Sequence, residues 1–138
     1  MPLNSSYSVD TKRGICTVRI HGLATATGLA EAFFAAFSDP EWDRDFNLII
    51  VYEADALLGN LTLEDLRNLQ RQLNDRQAQV GIQRKMKSAL VYRRAEQRTL
   101  LDLHVLSYRD QDFLEERVFA TEAEALQWLT TPPAVAVE

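Results

Sequence analysis

Apolar residues recur along this chain with two periods, one typical of strands and one typical of helices. Alternation over residues 15–20, preceded by residues 7–10 and a turn at Gly14, predicts an antiparallel hairpin. Residues 48–51 are apolar throughout, which is typical of a central strand that helices cover on both faces. Two further strands are predicted at residues 87–93 and 114–121.

Helical spacing predicts a first helix soon after the hairpin. Leu29, Phe33 and Phe37 share one face of it. Either Thr25 or Thr27 caps its N-terminus, because a side-chain hydroxyl accepts a hydrogen bond from an unpaired backbone N–H. The Asp-Pro pair that follows is expected to end the helix, since proline disfavours helical geometry in the residue before it.

Three more helices are predicted after the central strand. The second ends at Gly81, and its apolar face comprises Leu66, Leu69, Leu73 and Val80. The third, over residues 95–109, has apolar side chains almost all round, which predicts a well-buried helix at a subunit contact. The fourth begins with Thr121 and Glu124, which form a capping box.

The predicted element order is β-β-α-β-α-β-α-β-α. Strands that alternate with helices indicate an α/β fold, here a mostly parallel five-stranded sheet with an antiparallel hairpin at one edge. The length of 138 residues suits one domain. We expect that domain to span residues 1–131 and to be followed by a flexible C-terminal tail at residues 132–138.

The composition is that of an ordinary globular protein, with 46% hydrophobic and 25% charged residues. No apolar run approaches the ~20 residues needed to cross a bilayer, and the N-terminal residues lack the basic start and apolar core of a signal peptide. The one cysteine, Cys16, lies in a predicted strand and is expected to be a buried reduced thiol. These features predict a cytoplasmic protein.

The net charge of −5 hides an asymmetry along the chain. Residues 67–98 carry nine basic side chains and two acidic ones. Such a segment indicates either a face that binds anions or an acidic partner, or ordinary solvated positions neutralised by acidic segments around them. Nucleic acid is not expected as a partner, because the net charge is negative and aromatic residues are not interleaved with the basic ones.

Four segments resemble those of the SpoIIAA-like group of small domains, which is related in fold to STAS domains. They are DPEW after the first helix, LIIVYEADALLGNLTLEDLRNL from the central strand into the second helix, SALVYR as the fourth strand and RVFATEAEALQWL at the end. The last is the most specific, because a strand ending in Val-Phe before a capped helix ending in Ala-Leu-x-Trp-Leu is characteristic of the group. The resemblance extends over residues 7–129.

The resemblance implies a regulatory α/β domain that binds a partner protein or a small ligand and carries out no chemistry. In related antagonists of anti-sigma factors, phosphorylation of a serine at the start of the second helix breaks partner binding. This chain has no serine there, and Thr62 is the nearby hydroxyl. A phosphate on Thr62 would face the positive end of the helix dipole but also Glu64 and Asp65, so a phosphorylation switch stays an open alternative.

The loop after the central strand carries the candidate site. Ligands of open α/β sheets bind outside the C-terminal ends of the strands, and arginines that follow the fourth strand reach the same end of the sheet. Apolar residues in the loop favour a partner protein, whereas the arginines favour an anionic or lipid-like ligand or an acidic partner. The candidate binding residues are Glu53, Asp55, Leu57, Leu58, Thr62, Arg93 and Arg94.

Three functions remain open for this loop. A partner-binding module requires an exposed apolar patch, for which Leu57 and Leu58 are the candidates. A small-ligand carrier requires a closed pocket beside the third helix. An enzyme requires a second titratable group paired with Asp55, and Tyr52 or His104 is the candidate for that group. Alternatively, Asp55 only caps its own turn.

The residue spacings favour binding over catalysis. Neither His nor Cys occurs with metal-ligand spacing, and no glycine-rich phosphate loop is present, so we expect no metal and no cofactor. The sequence therefore predicts a non-enzymatic binding module that forms a homodimer.

Overall fold

The computed structural model describes residues 2–43, 46–79, 86–107 and 114–130. These residues form β1 (Asn4–Asp10), β2 (Ile15–His21), α1 (Ala26–Phe37), β3 (Asn47–Tyr52), α2 (Leu63–Gln79), β4 (Met86–Val91), α3 (Ala95–Ser107), β5 (Leu114–Phe119) and α4 (Glu122–Thr130). The α/β class and the element order are as predicted. The predicted helix end at Gly81, with Val80, and the tail at residues 132–138 lie outside the described residues, as does the side chain of Leu73.

The strands form one mixed sheet in the order β1-β2-β3-β4-β5. β1 runs antiparallel to β2, and the β2–β3, β3–β4 and β4–β5 pairs are parallel. β1 begins at Asn4, earlier than predicted, because its backbone pairs with β2 as far as His21. Its polar side chains did not indicate a strand, since an edge strand has no need of an apolar face. Gly14, with φ of 68°, makes the predicted turn.

The helices are divided unequally between the two faces of the sheet. Alternate residues of β3 show this division: Leu48, Ile50 and Tyr52 pack with α1, α2 and α3, whereas Ile49 and Val51 pack with α4. Successive parallel strands that advance in one direction through right-handed crossovers place their helices on the same face. Of the described helices, α4, which follows the last strand, alone covers the opposite face. The prediction of a central strand covered on both faces is confirmed.

Helix caps follow the predicted chemistry. Thr25, not Thr27, caps α1, and its hydroxyl accepts from the backbone N–H of Gly28 at 3.0 Å. In α4 the Thr121 hydroxyl accepts from the backbone N–H of Glu124 at 3.1 Å, which is one half of the predicted capping box. The Glu124 carboxylate accepts from the Thr121 hydroxyl, also at 3.1 Å, and not from its backbone N–H as predicted.

Helix α3 differs from its prediction. Gln97, Leu101 and His104 face the core at helical spacing, and each is at most 5% exposed. Leu103 and Leu106, in contrast, are 46% and 62% exposed. The helix is therefore not buried all round within one chain, and its place at a subunit contact stays a prediction.

Cys16 is fully buried in β2 and has no disulfide partner among the described residues. Burial, followed by the nearby charge of Asp39, raises the pKa of its thiol to about 11. The buried thiol predicted from the sequence is confirmed. Over the ranges that the structure describes, no helix combines the length and apolar character needed to cross a membrane.

Candidate binding site

The loop between β3 and α2 is fixed by the side chain of Gln97, near the start of α3. Its amide nitrogen donates to the carbonyl oxygens of Glu53 and Ala56, each at 2.9 Å. Its amide oxygen accepts from the backbone N–H groups of Arg93 at 2.8 Å and Arg94 at 3.1 Å. Gln97 is 1% exposed, so these bonds are shielded from water and hold two chain segments together.

A second set of bonds fixes the other side of the same loop. The backbone N–H of Leu57 donates to the carbonyl of Gly22 at 2.8 Å, and the N–H of Ala24 donates to the carbonyl of Leu57 at 2.9 Å. The loop is thereby tied to the end of β2 as well as to α3. Hydrogen bonds within the chain therefore hold the loop on both sides.

These ties create a concave surface of about 420 Å³, here called the loop cleft. A volume of this size lies within the range of sites for small ligands and anchoring side chains. Its surface is largely apolar, although apolar and polar side chains line it in equal number. The lining residues are Leu23, Ala56, Leu57, Leu58, Gly59, Asn60, Arg94, Glu96 and Gln97.

The base and the rim of the loop cleft differ in polarity. Leu58 is buried beneath it, whereas Leu57 is 47% exposed at its lip. Arg94 at the rim pairs with Glu96 at 2.5 Å, and its guanidinium also donates to the carbonyl of Ala54 at 3.5 Å. The rim therefore presents both charges, and the base presents apolar surface.

Arg93 does not share this position with Arg94. Arg93 and Arg19 each contact both Glu53 and Glu122, which gives a closed ring of alternating charge, here called the ion ring. Arg19 lies 3.2 Å from Glu53 and 2.7 Å from Glu122. Arg93 lies 3.3 Å from Glu53 and 2.6 Å from Glu122. All four side chains are part-exposed, between 22% and 38%.

The ion ring joins α4 to the C-terminal ends of β2, β3 and β4. Hydrogen bonds from Arg19, and then from Arg93, lower the pKa of Glu122. The same bond to Glu122 raises the pKa of Arg19. Because Glu53 and Arg93 already satisfy one another and their partners, neither presents a free charge to a ligand. The sequence did not indicate this ring, since Arg19 and Glu122 are far apart in the chain.

Asp55 pairs with His21 at the end of β2, with 3.0 Å between its carboxylate and Nδ1. The two side chains are 48% and 39% exposed. Neither Tyr52 nor His104, the partners considered from the sequence, fills this role. Tyr52 is buried on the face of the sheet that α1, α2 and α3 cover, where burial and the charge of Glu116 raise its pKa. The structure thus gives Asp55 a titratable partner, although neither residue lines the loop cleft.

Thr62 caps α2 and is engaged in a capping box. Its hydroxyl accepts from the backbone N–H of Asp65 at 3.1 Å, and its own N–H donates to the Asp65 carboxylate at 3.0 Å. A phosphate on this hydroxyl would have to replace the first of these bonds while lying beside the carboxylate. The geometry leaves phosphorylation at Thr62 as a prediction.

A small cavity lies between the sheet and helices α2 and α3. His104 and Glu116 border it and pair at 3.0 Å, and both side chains are less than a tenth exposed. Gln70 Nε2 and Ser88 Oγ, also at its wall, have no hydrogen-bond partner among the residues that the structure describes. Its volume is about 30 Å³, enough for one or two water-sized molecules. A small-ligand carrier would bind its ligand in such a closed pocket beside α3. This cavity, however, is too small for a lipid-like ligand.

The predicted site residues therefore divide among four arrangements. Leu57, Leu58 and Arg94 lie together at the loop cleft. Glu53 and Arg93 belong to the ion ring, Asp55 pairs with His21, and Thr62 caps α2. Comparison with protein-family models gave no match, and comparison with curated proteins gave none either. The function of the loop cleft is therefore inferred from its geometry.

Proposed function

We propose that this chain is a non-enzymatic regulatory module of the SpoIIAA-like, STAS-related type that binds a partner protein at the loop cleft. The observation that carries this proposal is the apolar cleft of about 420 Å³ with Leu57 exposed at its lip. An exposed apolar side chain beside a preformed concavity is typical of a surface that takes an anchoring side chain from a partner. The five strands, four helices and element order agree with what the resemblance implies.

The rim of the loop cleft supports a protein partner more than a small anion. Arg94 is already paired with Glu96, so an anionic ligand would have to displace that carboxylate. A polypeptide offers both donors and acceptors, and it matches a rim that carries both charges. An anionic or lipid-like small ligand is the alternative, and Arg94 beside the loop cleft is the cation that would bind it.

An enzyme that uses Asp55 is the remaining alternative, and the 3.0 Å contact with His21 is the observation that favours it. An acid–base pair needs a substrate beside it. The pair lies outside the lining of the loop cleft, which is why binding is the proposed function. The proposal includes a homodimer and a location in the cytoplasm.

Native mass spectrometry of the protein purified from its own cell tests this proposal. Wild type, Leu57→Asp and Leu103→Asp are compared, because both leucines are exposed to nearly the same extent, 47% and 46%, on different surfaces. We expect a complex with a second protein in wild type and Leu103→Asp that is lost in Leu57→Asp. Equal amounts of complex in all three would overturn the proposal. A bound mass of a few hundred daltons, with no second protein, would overturn the partner protein and favour the small-ligand alternative.

A further inference from the structure

Strand β5 forms one edge of the sheet. It pairs with β4 on one side, and among the described residues no strand pairs with its other side. An edge strand presents unpaired N–H and C=O groups that serve as a template for another strand. Charged side chains on such an edge restrict it to partners whose charges are arranged in a complementary order.

A shallow groove of about 460 Å³ follows this edge between β5 and α3. Val105 and Leu106 of α3 and Val118 of β5 give it an apolar floor, with Asp102, Glu116 and Arg117 around it. Leu106, at 62% exposed, is the most exposed large apolar side chain of the described residues. Edge and groove together form one surface, here called the β5 edge.

We propose that the β5 edge binds the β5 edge of a second copy of this chain in an antiparallel arrangement centred on Glu116. This inference specifies the interface of the proposed homodimer and does not depend on what the loop cleft binds. A two-fold axis perpendicular to the sheet produces such a pairing, and it continues the sheet from one protomer into the next.

The order of charges along β5 favours a second copy of this chain as the partner. With Glu116 opposite its own copy, Glu115 lies opposite Arg117 of the second copy, and Arg117 lies opposite Glu115 of the second copy. Residues directly opposite in an antiparallel pair share a face, so both oppositely charged pairs form. They extend the exposed 3.5 Å contact that Arg117 and Glu115 make within one chain. Centring the pair on Glu115 or on Arg117 instead would place like charges opposite each other.

Glu116 at the centre does not oppose this arrangement. Its carboxylate turns toward the core, is 8% exposed and already contacts His104 at 3.0 Å. The same two-fold axis keeps α3 of both protomers on one face of the continued sheet. Val105 and Leu106 of the two copies then face each other across the axis and cover apolar surface that one chain leaves exposed.

Sedimentation velocity over a concentration series, with charge reversals on β5, tests this interface. Glu115→Arg alone and Arg117→Glu alone each place two pairs of like charges across the axis. We expect the dimer dissociation constant to rise at least about tenfold in each. The double reversal Glu115→Arg/Arg117→Glu restores opposite charges, and we expect it to recover dimerisation. Arg117 also lies 5.0 Å from the Trp128 ring, so Arg117→Glu could unfold the protein. In that case the dissociation constant of Glu115→Arg alone tests the interface.

Helix α3 offers a matched pair of variants for the apolar half of the interface. Leu106→Asp places a charge in the groove, whereas Leu103→Asp places one on the same helix outside it. We expect loss of the dimer with the first and an unchanged dimer with the second. Wild type that is monomeric at every concentration overturns both the homodimer and its interface. A dimer that tolerates Glu115→Arg and Leu106→Asp overturns only the interface.

Discussion

The side-chain amide of Gln97 donates to the carbonyl oxygen of Ala56 at 2.9 Å, and through this bond the start of α3 holds the loop that forms the cleft. The same side chain makes three more hydrogen bonds, to Glu53, Arg93 and Arg94. One buried amide thus fixes the relative position of the β3–α2 loop and the β4–α3 turn. The loop cleft lies between these two segments, so its shape depends on Gln97.

Substitution Gln97→Leu is therefore expected to destabilise the protein. It removes two bonds to carbonyls and two from N–H groups around a side chain that is 1% exposed, and buried polar groups left without partners are costly. We expect the free energy of unfolding to fall by about 2–4 kcal/mol. Urea denaturation followed by circular dichroism measures it.

Gln70→Leu is the matched control, since Gln70 is also a buried glutamine, at 3% exposed. Its Nε2 has no hydrogen-bond partner within the described ranges, so leucine removes a donor that is unsatisfied there. We expect the free energy of unfolding to stay within about 1 kcal/mol of wild type. Equal losses in the two variants would mean that the bonds of Gln97 contribute nothing specific.

The ion ring predicts a dependence of stability on pH through Glu122. Its folded-state pKa lies below the ordinary value of 4.5, chiefly because Arg19 donates to it. A carboxylate with a lowered pKa contributes stability that is complete above its unfolded-state pKa and is lost as the pH falls through the folded-state value. We therefore expect the contribution of Glu122 to be constant near neutral pH and to decline below about pH 4.5.

Urea unfolding of wild type and Glu122→Gln at neutral and acid pH measures this contribution. We expect wild type to be the more stable at neutral pH, and the difference between the two proteins to shrink at acid pH. Glu31→Gln is the control, because Glu31 is an exposed carboxylate on α1. A difference between wild type and Glu122→Gln that does not change with pH would contradict the account of the ring.

The capping box of α2 predicts a structural role for Thr62. Thr62→Ala removes the acceptor for the Asp65 N–H, and we expect a loss of about 1 kcal/mol in the free energy of unfolding. Thr62→Ser keeps the hydroxyl and is expected to keep most of that stability. Intact-mass measurement of protein from its own cell tests the phosphorylation switch separately. Unmodified Thr62 under every growth condition would exclude that switch.

The elements of the fold were predictable because each depends on local pattern. The apolar run of β3, the cap at Thr121 and the turn at Gly14 are all determined by neighbours in the sequence, whereas the choice of Thr25 over Thr27 as the cap of α1 was left open. The start of β1 at Asn4 was not predictable, since pairing with β2 and not its own pattern makes it a strand. The sequence did not predict the exposed side of α3, because leucines on every face of the helix suggested that all of its faces are buried.

The sequence predicted which segments meet at one end of the sheet but not how their side chains are arranged there. The loop after β3 and the arginines after β4 do meet at one end of the sheet. Arg93 and Arg94, adjacent in sequence, point to different partners: Arg93 to the ion ring and Arg94 to the rim of the loop cleft. Contacts such as that of His21 with Asp55 join distant parts of the chain. Without the fold, no local signal identifies them.

A photo-activated cross-linker placed at position 57 tests the central claim most directly, because Leu57 lies at the lip of the loop cleft. The protein is produced in its own cell, irradiated and examined by mass spectrometry, with the same group at position 103 as the control. Partner binding at the cleft predicts one discrete adduct with a second protein from position 57 that is absent from position 103. No adduct from position 57, or the same adducts from both positions, would contradict it.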